Sequence, residues 1–141
     1  MIFEEDFVYV KNKESVALKN IKAGDEIFAY DKETKRHIWT PVTRIRKTGQ
    51  KEIVMVIFKN SYHVRMSLDT QLFNKRDEFE SLKDIAFGVN SKEGFNDVLT
   101  NNHEYTQVAE ISKYGVCPTI WLEVENVDSN FYCQGVFVKS A

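Results

Sequence analysis

The apolar residues of this chain fall in short runs that alternate with polar residues and are broken by turn formers. Nowhere do they keep the three-and-four spacing of an amphipathic helix over several turns. Period-two alternation puts every second side chain on the same face, so half-buried β-strands are predicted. Strands are expected over 7–10, 26–30, 37–46, 51–59, 62–67, 105–112, 119–126 and 131–138. The polar stretch Asp31-Lys32-Glu33-Thr34-Lys35 joins the second and third of these as a hairpin, and Asn60-Ser61 joins the fourth and fifth. Pro41 has no amide hydrogen for a ladder, which points to an edge or a bulge. Gly115 and Asp128-Ser129-Asn130 mark turns between the last three strands. Two short helical turns are predicted, over 80–85 and over 17–21, the latter followed by Gly24 where a left-handed cap is wanted. The polar stretch 90–102 reads as a surface loop.

A chain of 141 residues is expected to form one domain whose core needs no disulfide or metal. Its 19 Lys and Arg against 21 Asp and Glu leave a net charge of −2, which argues against a strongly basic nucleic-acid binder. Two cysteines, Cys117 and Cys133, exclude a disulfide-rich scaffold and a four-cysteine zinc site. Apolar neighbours Val116, Phe131 and Val136 make both of them core thiols rather than a redox pair. His37, His63 and His103 sit in different hairpins or loops at no zinc spacing, so neither metal nor cofactor is expected. The apolar run from Ile53 to Phe58 is about a third of a membrane span. Residues 1–6 are acidic, unlike a secretory leader, and the expectation is a cytoplasmic monomer without membrane contact. Arg44, Arg46, Lys47 and Lys51, with Lys59 and Arg65, line a basic strand face. A solvated face is the simpler reading, and a nucleic-acid interface the alternative. Trp39 and Trp121 are expected to anchor hairpins or the core.

The order of the pieces is distinctive. A first strand leads to Ile21-Lys22-Ala23-Gly24-Asp25-Glu26-Ile27, then Ala29-Tyr30-Asp31 and a hairpin, with Thr48-Gly49 downstream. Ser67-Leu68-Asp69-Thr70 ends a later strand, Phe79 to Gly88 follows it, and the chain closes on Asn130-Phe131 and Gln134-Gly135-Val136-Phe137-Val138. This succession resembles the Hint domain, the fold shared by inteins and the hedgehog autoprocessing domain. The resemblance covers essentially the whole chain and leaves no room for an inserted endonuclease. It implies an all-β, horseshoe-shaped fold of short curled strands with pseudo-two-fold symmetry, one or two helical turns, and termini that meet at the centre.

The resemblance also implies where the chemistry would sit. The family begins with a thiol or hydroxyl nucleophile at the first position. Here that is Met1, whose thioether cannot form the ester intermediate, and a chain starting there would have nothing upstream to splice. The histidine that protonates the leaving amine maps to Thr70, while Ser67 keeps the family's hydroxyl. The asparagine that cyclises maps to Ser140, its assisting histidines to Lys139 and Ser129, an acidic residue to Leu122 and the acceptor nucleophile to Ala141. The implied function is a degenerate, splicing-inactive Hint-like module with a binding or structural role, its partner a protein held in the old cleft or on an edge strand. One alternative is an active splicing or autocleavage domain with a displaced nucleophile, for which Cys133 or Ser140 would be the candidates. Others are a nucleic-acid-binding β module using Arg44, Arg46, Lys47, Lys51 and Arg65, or a relic without selected activity.

Overall fold

The computed structural model describes residues 1–87, 97–100, 104–126 and 128–140. The alternating pattern folds as strands: β1 (Ile2–Phe3), β2 (Phe7–Tyr9), β3 (Ser15–Ala17), β4 (Glu26–Asp31), β5 (Arg36–Phe58), β6 (His63–Met66), β7 (Gln71–Phe73), β8 (Phe79–Ser81), β9 (Val98–Leu99), β10 (Tyr105–Thr106), β11 (Val108–Val124), β12 (Asn130–Cys133) and β13 (Val136–Lys139). A 3-10 turn at Leu18–Asn20 and one short helix, α1 (Leu82–Phe87), are the helical pieces among the described residues. This is the all-β architecture the sequence implied. One sheet runs β11-β1-β6-β5-β4, with β11 also paired to β5, and a second runs β3-β2-β12-β13-β7-β8.

Two pairs of expected strands are each one strand. β5 spans 37–46 and 51–59 without a break, and β11 joins most of 105–112 to 119–126. The intervening residues Lys47, Gly49, Gln50 and Lys51 are exposed, as are Lys113, Tyr114 and Val116 further along the same ribbon on β11. A ribbon wet on both faces needs no apolar alternation, so its sequence reads as a turn. Gly115, with φ +141, takes up a register shift rather than a chain reversal. The reverse error occurs at 131–138, which is a hairpin: β12 turns into β13 at Gln134 and Gly135, both with positive φ. Gln134 gives no turn signal in a sequence. Pro41 sits where β5 leaves β4 as its partner and takes up β11 at Val42, in keeping with its missing donor. Val98 and Leu99, expected in a surface loop, are buried; the rest of that stretch lies mostly outside the described residues.

Packing follows from the alternation. Val8, Leu18, Ile27, Val56, Val64, Leu122, Cys133 and Val138 share the main core, while Tyr30, Phe73, Tyr132 and Phe137 form an aromatic core beside it. Asn130 is fully buried, and its side-chain amide accepts from Tyr30 N at 2.9 Å and donates to Tyr30 O at 2.8 Å. It therefore bonds β4 as a strand would, satisfying groups that would be costly to bury bare. Among the described residues no helix is long and apolar enough to cross a membrane.

One buried charge stands inside this core. Asp6 has no exposed surface and accepts from Arg65 N at 2.7 Å, Nε at 2.8 Å and Nη2 at 2.6 Å. Removing one member of such a pair strands the other away from water. Asp6→Ala is therefore expected to lower the urea-unfolding free energy by about 3 kcal/mol or more. Arg46→Ala, which breaks only the exposed Arg46–Glu123 pair, should cost under about 1 kcal/mol.

Candidate functional site

β6 ends at Met66, and the chain turns through Ser67 to Thr70, closed by a bond from Thr70 N to Ser67 O at 3.1 Å. β1 lies along β6 with Ile2 opposite Met66, which brings position 1 to that turn. Ser67 N donates to Met1 O at 2.9 Å. The Met1 nitrogen lies 3.1 Å from Ser67 Oγ and 2.6 Å from Thr70 Oγ1, and the two hydroxyls are 3.0 Å apart. A hydroxyl has one proton to give. Ser67 gives its own to Asp69, and the Thr70 hydroxyl reaches Met1 O at 3.1 Å. The first residue is thus gripped at both its nitrogen and its carbonyl.

Burial lowers the Met1 ammonium from the ordinary 8.0 to about 5, against the pull of the Asp69 charge. A cavity of 540 Å³ opens beside this cluster, walled by Met1, Ser67 and Asp69 on one side and by Lys51, Glu52 and Lys113 on the other. Lys51 thus belongs to the cleft.

Of the C-terminal positions, Ser140 runs toward the same turn. β13 pairs with β7 through Val138 and Leu72, so Ser140, two residues on, and Thr70, two residues back, run toward each other. Ser140 is buried, its amide donates to Ser129 O at 2.6 Å, and its Oγ has no partner among the described residues. Ser129 is held in a left-handed conformation at φ 47. Lys139 is turned elsewhere, its ammonium 5.7 Å from the Phe79 ring. Leu122 is fully buried in the main core. Ala141 lies outside the described residues.

The other candidates separate. Cys133 is fully buried, and desolvation raises its thiol well above the ordinary value, so it is no displaced nucleophile. Cys117 corrects the expectation of two core thiols: it is only half-buried, on β11 opposite Lys51. His37 packs on Phe28 and Phe137 in the aromatic core, His63 is exposed on β6, and His103 lies outside the described residues. No group of three metal-binding side chains occurs among the described residues. Arg44, Arg46 and Lys47 are exposed along β5, with Arg46 paired to Glu123 at 2.9 Å. Arg65 is committed to Asp6 and does not join them. Trp39 stands opposite Phe28 as a hairpin anchor, and Trp121 packs on the main core.

With hydroxyls and one carboxylate around it, this cluster can position a backbone segment by hydrogen bonds. It holds no thiol, imidazole or carboxamide among the described residues that line it. The Asp6–Arg65 pair was not read from the sequence; an acid and a base 59 residues apart carry no signal until the strands are paired.

No protein-family profile matches the sequence, and no curated protein does. Solved structures do match. A DnaB intein from Synechocystis sp. PCC 6803 superposes with a TM-score of 0.85 at 16% identity, over 99% of this chain and 97% of that one. The gp41-1 intein gives 0.77 at 14% identity over 99% and 97%. The DnaX mini intein from Spirulina platensis gives 0.77 at 14% over 99% and 98%. The chain has the Hint/intein-like fold.

The buried amine makes stability depend on pH. Prepared as residues 1–141, the unfolded chain holds this proton between about pH 5 and 8 and the folded chain does not. Stability is therefore expected to rise from pH 5 to 8, by about 4 kcal/mol at most. N-terminal acetylation should flatten that slope in urea titrations. In native buffer, iodoacetamide should label Cys117 and leave Cys133 unmodified until the chain unfolds.

Proposed function

We propose that this chain, which carries the Hint/intein-like fold, is a non-splicing module in which the cleft serves binding. The observation that carries this reading is the cluster around position 1: Ser67 and Thr70 hydroxyls hold the Met1 backbone, and none of the described residues lining the cleft offers a thiol or an imidazole to use that grip. A thioether has no proton to lose and cannot accept an acyl group as a thiol does. Thr70 can orient the bond at position 1 but cannot act as an acid near neutral pH. At the other end, the Ser140 side chain has no amide nitrogen to cyclise, and Lys139 faces the Phe79 ring rather than Ser140. Replacement at Met1, Thr70, Leu122, Ser129, Lys139, Ser140 and Ala141, with Ser67, Asn130 and the strand framework retained, is the pattern of a scaffold kept without its reaction.

The cleft supports a binding role. It has space for a few residues of polypeptide, and its walls carry both signs of charge through Lys51, Lys113, Glu52 and Asp69. Hydroxyls and opposite charges side by side suit a polar peptide segment better than a uniformly charged polymer.

The test places the chain between two reporter proteins and follows intact mass over a day, with and without thiol. The expected result is the uncut fusion throughout. Spliced or cleaved products would overturn the reading, and their masses would give the junction used.

A further inference from the structure

A pocket of 260 Å³ lies where the loop from β11 to β12 meets the β4–β5 hairpin, and it shares no lining residue with the cleft. Its lining is Asp31 and Glu33 on the hairpin, Glu125, Asn126 and Asp128 on the loop, and Ile38 of β5. Four carboxylates and no cation therefore face it. Asp31 uses both oxygens on its own turn, taking Glu33 N at 3.1 Å and the Thr34 hydroxyl at 3.0 Å. Asp128 takes Lys32 N through Oδ2 at 2.8 Å. The Glu33 and Glu125 carboxylates have no hydrogen bond or ion pair among the described residues. The nearby cations are placed elsewhere. Lys35 pairs with Asp77, Lys32 lines the adjacent cavity, and Arg36 stands opposite Asp31 on the ladder without lining the pocket.

A row of carboxylates alone is a solvated surface, and Asn126 is what sets this one apart. Its backbone is fixed in the pocket wall, with its N–H given to Thr40 Oγ1 and its carbonyl taking Ser129 N, both at 3.0 Å. Its side-chain Oδ1 and Nδ2 are both buried, and neither has a partner among the described residues. A carboxamide buried in this way leaves a donor and an acceptor unanswered, which folded proteins avoid. Four residues on, Asn130 shows what such a group takes: it accepts from Tyr30 N and donates to Tyr30 O, the two polar groups of one residue's backbone. Asn126 offers the same pair of groups with nothing opposite them.

Charge and hydrogen bonding together select the occupant. Four carboxylates call for a cation. No three metal-binding groups converge among the described residues, so these carboxylates are too dispersed for one metal ion. They suit a wide, delocalised cation instead. Acceptors stand on both walls, Glu33 on the hairpin and Glu125 and Asp128 on the loop, and a guanidinium carries five N–H donors in a planar fork. Ile38 gives the methylenes behind it an apolar wall. A polyamine or a free guanidinium has no acceptor for Asn126 Nδ2, whereas a peptide backbone supplies both a carbonyl and an N–H. The pocket is below the size that encloses a whole small-molecule ligand and fits one long side chain. We infer that it binds an arginine residue of a partner polypeptide, the guanidinium among the carboxylates and the backbone held by Asn126.

The probe is the capped peptide Gly-Ser-Arg-Ser-Gly, titrated into the nitrogen-15-labelled 141-residue protein and followed by amide resonances, the Asn126 side-chain pair among them. Saturable movement of that pair is expected. Citrulline in place of the arginine, which keeps the shape and loses the charge, should bind at least tenfold more weakly. Glu33→Gln combined with Glu125→Gln should weaken the arginine peptide by at least tenfold. Asn126→Leu, which removes the two orphaned groups at similar size, should weaken the peptide several-fold and leave the binding of methylguanidinium unchanged. Glu110→Gln, at an exposed glutamate far along β11, should change nothing; circular dichroism checks that each variant is folded. No saturable shift at millimolar peptide, equal binding of the citrulline peptide, an Asn126→Leu variant that binds the peptide as before, or spermine or calcium moving the same resonances at lower concentration would each overturn the proposal. None of these outcomes bears on whether a reporter fusion is cut.

Discussion

Asp6 and Arg65 hold together parts of the chain that no ladder joins. Burial pushes the Asp6 carboxyl up from its ordinary value, and the hydrogen bonds and charge of Arg65 pull it back. The same aspartate accepts from Leu18 N through its backbone carbonyl at 2.8 Å, so the 3-10 turn hangs on it as well. On the other side the guanidinium lies 4.4 Å from the Phe3 ring and 5.2 Å from the Tyr114 ring. One ion pair thereby fixes β1, β2, β6 and β11 against each other. Arg65 stands two residues before Ser67, so this also sets where the serine meets Met1. Ion pairs of this kind contribute little net stability, but they penalise any arrangement that parts them.

The cleft depends on that arrangement. The cleft lies beyond the end of β6, where Ser67, Asp69 and Thr70 close around position 1. At the start of β6 no strand covers the outer edge and side chains stand in: Asp6 receives Arg65 N, and Gln134 receives Phe7 N and gives to His63 O. Asn130 does the same service for β4. Side-chain carboxylates and amides that imitate a neighbouring strand let curled sheets end inside the protein without leaving bare backbone groups.

Much of this was legible in the sequence, and the failures have a common cause. Strand alternation is visible wherever one face is buried, as at Ile27 and Ala29 in β4 or Val64 and Met66 in β6. It vanishes in the two-sided ribbon around Gln50 and Val116, where the sequence pattern shows a break between strands at 47–50 and a turn at Gly115. The hairpin at Gln134 was invisible because its turn relies on a glutamine at positive φ, whose amide is needed elsewhere. The resemblance placed Ser67, Thr70 and Met1 in one site, and the structure brings them together. It could not show that Lys139 turns away from Ser140, because a side chain's direction depends on the cavity beside it, here walled by Phe79 and Asp128. Arg65, grouped with the cations of β5 by composition, is drawn away by a buried aspartate from the far end of the chain.

The central claim is that the framework at position 1 is intact and only the reactive groups are missing. It is tested most directly by putting two of them back. In a fusion with a reporter upstream, Met1→Cys together with Thr70→His supplies a nucleophile and an acid at the site where Ser67 N holds the carbonyl of residue 1. The account predicts thiol-dependent release of the reporter at the bond before position 1, faster than with Met1→Cys alone. A double variant that folds as the original chain does, yet leaves the fusion intact, would contradict it.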